Sequence, residues 1–262
     1  MITVTSAQLS SWLALFIFPF VRILAMVASA PILGNRQVPV RVKIGLSILL
    51  TIVIAPTLAI QPNVEPASAL GFLVIFQQLL AGLAIGFTMR LIFTAIEMAG
   101  DIIGLQMGLG FAIFFDPKSS SYVPVIAQFL GILAILLFLS MNGHLLMLEA
   151  LADSFRAFPI NSTTSSAIAL HTLASMGSSI FSNALQLSMP VIGTLLITNA
   201  ALGILTRSAP QLNILAVGFP ITLIIGFTAV MLSMHYIVPL LENITHASLN
   251  TILHVMQLLG KS

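Results

Sequence analysis

The sequence has no cysteine and almost no charge. Without cysteine there can be no disulfide, no thiolate nucleophile and no Cys-ligated zinc. Charged residues are 6% of the 262, nine Lys/Arg against seven Asp/Glu. A soluble domain carries about 25%, because a water-facing surface needs them. The five histidines (144, 171, 235, 246 and 254) lack metal-ligand spacing. Neither Gly-x-Ser-x-Gly nor His-Glu-x-x-His occurs, so no catalytic residue, metal or cofactor is expected. The pI near 9.4 reflects a small imbalance in a nearly chargeless chain. Its basic residues form no stripe that could follow phosphates, which argues against a nucleic-acid partner. The first eleven residues lack the basic region of a cleaved signal peptide, so the apolar run after them reads as a retained helix.

What the chain has instead is hydrophobicity: 58% of its residues and a mean hydropathy of +1.12. Its main solvent must be lipid. A bilayer core of about 30 Å takes roughly 20 apolar residues as a helix. Six stretches meet or approach that length: 12–33, 44–60, 69–94, 122–141, 183–205 and 214–238. No linker divides them, so residues 1–262 read as a single membrane domain, all-α and polytopic. A seventh stretch, 102–115, is too short to span and reads as re-entrant or buried. Glycines punctuate it at 104, 108 and 110, and Asp116-Pro117-Lys118 closes it. Non-helical backbone at that depth survives only inside protein or beside water.

Basic residues orient the spans. Arg36, Arg41 and Lys43 place the loop 34–43 in the cytoplasm, and the turn 207–211 returns there. The N-terminus, the loop after the second span and the Ser/Thr-rich stretch 142–179 then face the periplasm; simple counting puts the C-terminus there too. Glu149, Asp153 and Arg156 of that stretch read as solvated charges on an amphipathic helix at the membrane surface. Prolines 19, 56, 190, 220 and 239 lie in or at the ends of spans, where each removes a backbone donor and bends its helix.

Gly82 and Gly86 form one small-xxx-small pair, and Gly100, Gly104 and Gly108 a doubled one. Such faces let another backbone approach closely, either within the chain or at a subunit interface. Intramembrane charge is costly and points to function by default. Arg22 lies mid-span. Arg90 and Glu97 share a helix face, and Glu97 and Asp101 stand four apart. An ion relay, a salt link between helices or subunits, and snorkelling at an interface all fit that trio. Phe111, Phe114 and Phe115 crowd the short segment, and bulky apolar side chains on a glycine-punctuated loop suit a dewetting gate.

Residues 97–118, Glu-Met-Ala-Gly-Asp-Ile-Ile-Gly-Leu-Gln-Met-Gly-Leu-Gly-Phe-Ala-Ile-Phe-Phe-Asp-Pro-Lys, resemble the central signature of the FliR family of flagellar type III export-gate proteins. Agreement extends to Ala30-Pro-Ile-Leu-Gly, 39–45, 86–89, Asn142-Gly-His144 and 209–220, covering nearly the whole chain. Injectisome relatives share the architecture, but the Gln106-Met-Gly-Leu-Gly-Phe111 run looks more like the flagellar branch. The resemblance implies a subunit of the bacterial inner membrane and flagellar basal body, assembled with FliP and FliQ, with FlhA nearby and unfolded flagellar subunits as cargo. It implies a FliP-like part over 1–180, with a plug loop at 106–122, and a FliQ-like hairpin and C-terminal segment over 181–262. It further implies that Gly108, Gly110, Phe111, Phe114, Phe115, Asp116 and Pro117 belong to the plug. Gly82, Gly86, Gly100, Gly104, Arg90, Glu97 and Asp101 become candidates for subunit packing. The hairpin tip, with Arg207, Pro210, Gln211 and Asn213, is where FlhB would touch. Such a protein catalyses no reaction. The competing reading is a secondary transporter that uses Arg90, Glu97 and Asp101, although the internal repeats usual for that class are not evident.

Overall fold

The computed structural model describes residues 6–58, 64–111, 124–160, 167–209, 211 and 214–260. Eight α-helices account for most of them: α1 (Ser6–Ser29), α2 (Val40–Ile54), α3 (Ala69–Gln106), α4 (Val125–Ser140), α5 (Gly143–Ala157), α6 (Ala167–Met176), α7 (Ser178–Ser208) and α8 (Ile214–Gly260). Short 3₁₀ turns follow α2 at Ala55–Thr57 and α3 at Leu109–Phe111. No strand occurs among the described residues. The chain is an all-α polytopic membrane protein.

Helices long and apolar enough to cross a bilayer run over Gln8–Ser29, Val40–Thr57, Ala69–Gln106, Ala167–Ser208 and Ala216–Gly260. The pair α4 and α5 adds a sixth if counted as one broken span. The break falls at Asn142, whose φ of 57° is the left-handed conformation asparagine tolerates better than most residues.

Two expected boundaries need correction. The third span does not stop at residue 94; α3 runs on to Gln106 and takes in the first residues of the supposed separate segment 102–115. Nothing between 94 and 106 breaks a helix: Glu97 and Asp101 interrupt hydropathy, not backbone geometry. The last span likewise continues from 238 to Gly260, passing through Pro239. The stretch 142–179 is mostly α5 and α6, and α5 is the amphipathic helix expected around Glu149, Asp153 and Arg156. In α5, Met147, Ala150, Leu151, Ser154 and Phe155 are buried, at the three- and four-residue spacing of a helix face turned to the core. Averaging over the intervening polar residues hides that face.

The chain packs as two compact units. The first comprises Met1–Leu91, Asn142–Gly177 and Thr245–Ser262. Its core gathers Phe18, Met26, Ile85, Met89 and Leu151, joined by Val255 and Met256 from the end of α8. The second comprises Ile92–Met141 and Ser178–Ile244. Its core is built from Ile103, Met107, Ile126, Leu130, Leu195 and Ile237, with Phe93 and Phe138 edge to face at 5.5 Å. Each unit draws on sequence from both sides of residue 180. Large apolar side chains remain exposed along several helices, among them Val53, Ile197, Ile204, Met231 and Leu232. Exposed apolar surface of this extent suits contact with lipid or with other protein.

Candidate functional site

The segment expected to form the plug begins where α3 ends. Met107 N–H still bonds the Ile103 carbonyl at 2.9 Å, and Gly108 N–H turns back to Leu105 O at 3.0 Å. Gly108 has φ 86°, which glycine adopts without strain and other residues do not. Helix C-termini leave carbonyls without intrahelical partners, and in lipid each such group needs one. Thr222 of α8 supplies it, donating its hydroxyl to Met107 O at 3.1 Å. The 3₁₀ turn Leu109–Phe111 follows, with Gly110 close to the Leu105 side chain. Phe114, Phe115, Asp116 and Pro117 lie outside the described residues.

At Gly82, Gly86 and Gly100 the glycine faces are occupied by the chain's own helices. A Cβ at Gly82 would strike Arg22 O and Ala25 of α1, and one at Gly86 would strike Ser29 and Met26. At Gly100 it would meet the backbone of Ala127 in α4. Gly104 is buried. Arg90 and Glu97 are exposed on α3, and the Glu97 side chain lies over Gly131. Asp101 is half-buried, and its Oδ1 is buried with no hydrogen-bond partner among the described residues. Of the residues expected at the hairpin tip, Arg207 and Gln211 are exposed, while Pro210 and Asn213 fall outside the described residues. Glu149 and Arg156 are exposed as expected, with Arg156 paired to Asp153 at 3.1 Å. Among the described residues no cluster could hold a metal ion.

The charge that organises the first unit is Arg22, completely buried. Its Nε donates to Gln78 Oε1 at 2.7 Å, one terminal nitrogen to Phe158 O at 2.7 Å and the other to Ser154 Oγ at 3.2 Å. The guanidinium lies 4.2 Å from the Phe155 ring centroid and 5.4 Å from that of Phe158, within cation–π range. A single side chain on α1 thus binds α3, α5 and the turn after α5. Arg22 was legible as an intramembrane charge; Gln78, Ser154 and Phe158 were not assigned to it. The signal for Gln78 was present, since Gln77-Gln78 is a polar pair inside an otherwise apolar span.

The family model described as "Bacterial export proteins, family 1" matches residues 13–248. Curated relatives carry the name flagellar biosynthetic protein FliR. The chain is 46% identical to that of Escherichia coli over 244 residues, covering 93% of each chain. With the Bacillus subtilis relative it shares 31% identity over 253 residues, 94% of this chain and 96% of the relative. With that of Aquifex aeolicus it shares 29% over 233 residues, 88% and 90% of the two.

Proposed function

Because this chain belongs to the FliR family of bacterial export proteins and so has a role in flagellar protein export, we propose that it is the subunit that seals the export channel. It assembles with FliP and FliQ in the bacterial inner membrane, beside FlhA, and residues 108–117 form the movable closure. The family takes the place of the secondary-transporter reading built on Arg90, Glu97 and Asp101.

One observation carries the proposal. A 38-residue apolar helix is stopped ahead of Gly108 at positive φ, and the carbonyl of Met107, the residue just past its end, is tied down by a side chain of another helix. A glycine-rich segment leaving so fixed a stem can move without dragging the helix along. Phe111, Phe114 and Phe115 follow within eight residues of it, and a ring of apolar side chains in a narrow passage blocks ions by excluding water. An unfolded flagellar subunit would displace the segment as it passes. Energy and sorting belong to other components. The exposed tip around Arg207 and Gln211 is the surface offered to FlhB.

Deleting residues 110–115 tests this in cells. Assembly should persist while ions and small dyes leak inward. Normal dye exclusion by cells holding the assembled variant would refute the closure.

A further inference from the structure

Two residues of α8 grip the stem of the gate segment. Thr222 holds the Met107 carbonyl. One helical turn later comes Gly226, on the same face of α8. A Cβ at Gly226 would stand 2.6 Å from Met107 Cγ and 2.9 Å from its Sδ and Cε. Real Cβ atoms essentially never stand so close, so the Met107 side chain packs against α8 where the missing Cβ leaves room, and a methyl group there would make it shift. Met107 is fully buried, Gly226 is buried and Thr222 is 8% exposed. Backbone and side chain of one residue are therefore both held, and the next residue is the positive-φ Gly108.

We propose that Thr222 and Gly226 are positioning residues that anchor Met107 to α8, making Met107 the fixed side of a hinge at Gly108. The inference rests on residues 108–117 being the closure. It adds that the closure is set by α8 as well as by α3. A shift of α8 would carry the stem with it, whereas a passing chain need only swing the part beyond Gly108. Methionine suits the role: its unbranched, polarizable side chain conforms to a flat surface.

The absence of cysteine from the chain provides the assay. Leu109, half-buried two residues past the anchor, is replaced by cysteine (Leu109→Cys). Its maleimide labelling rate is measured in the membrane-assembled complex, scored on this chain. Gly226→Ala forces Met107 out of its seat and should raise the rate about tenfold, the scale of an overpacked contact. Thr222→Val keeps the side-chain shape but loses the hydroxyl, and should raise it about threefold, as for one net hydrogen bond. Adding Met107→Ala to Gly226→Ala makes room for the new methyl group but leaves the seat empty, so with the Thr222 bond still in place the rate should fall below that of Gly226→Ala and stay above that of the parent. Parent rates in both single variants, or a double variant no slower than Gly226→Ala, would overturn the anchor. Should Gly226→Ala fail to assemble, Thr222→Val decides alone by the same readout. Dye leakage through the 110–115 deletion reads the closure separately. Tight membranes there with labelling that follows the anchor would refute the closure and keep the anchor, and the reverse pattern would do the opposite.

Discussion

Replacing Gln78 with leucine isolates what the buried arginine does. The guanidinium of Arg22 reaches three acceptors, all neutral, and Gln78 Oε1 is among the two nearest at 2.7 Å. Gln78→Leu leaves Nε–H of a buried cation with nothing to bond. A hydrogen bond to a charged group contributes about 1.5–3 kcal/mol, and breaking a buried charged pair costs about 3–5 kcal/mol. Two acceptors and the Phe155 ring remain, so the loss should be near the overlap, about 3 kcal/mol. At about 2–4 °C per kcal/mol for a protein of this size, Tm should fall by about 6–12 °C. Arg22→Met alone strands the acceptors instead. The double variant Arg22→Met/Gln78→Leu removes the charge together with its acceptor, and buried charges replaced by apolar groups of similar shape are often tolerated. It should be more stable than Gln78→Leu alone, with the singles summing to at least about 1 kcal/mol more than the double. Thermal unfolding in mild detergent, followed through Trp12 emission, reads this directly, since Trp12 is the sole tryptophan and lies exposed on α1. Additive losses, or an unchanged Tm for Gln78→Leu, would refute a cohesive role for the cluster.

Gly86→Leu should abolish recovery of folded protein, because its side chain would enter α1 at Met26 and Ser29; normal yield would refute the close packing. Gly100→Leu drives into the backbone of Ala127 and should prevent assembly; recovery in a purified complex would count against that packing. Gly104→Leu, on the same row of small residues, should do the same by the same measure. Arg156→Ala removes an exposed pair between residues three apart and, as for most surface pairs, should leave Tm and export-dependent motility unchanged.

Membrane residence and helical architecture were legible because lipid imposes them on composition: a chain so poor in charge can cover its surface no other way. Helix ends were less legible. Hydropathy registers Glu97 and Asp101 as the end of a span, while the backbone of α3 responds only to Gly108. The core face of α5 was diluted by the Ser, Thr and charged residues around it. Arg22 stood out as a charge in a span, but its acceptors lie 56, 132 and 136 residues away, and no local pattern joins them. The same distance hides Thr222 from Met107, 115 residues apart. The glycine pairs announced close approach without naming the neighbour; at Gly82, Gly86 and Gly100 it is the chain's own helix. Motif agreement over 97–118 pointed to the family, and the match over residues 13–248 bears that out.

The proposed role of the segment leaving Gly108 is to close a channel. Its most direct test is the ionic conductance of the purified gate complex in planar bilayers, with and without residues 110–115. The intact complex should stay closed at rest, and the deletion should give a steady open current. Equal, silent traces from both complexes, with the deleted one shown to be fully assembled, would contradict it.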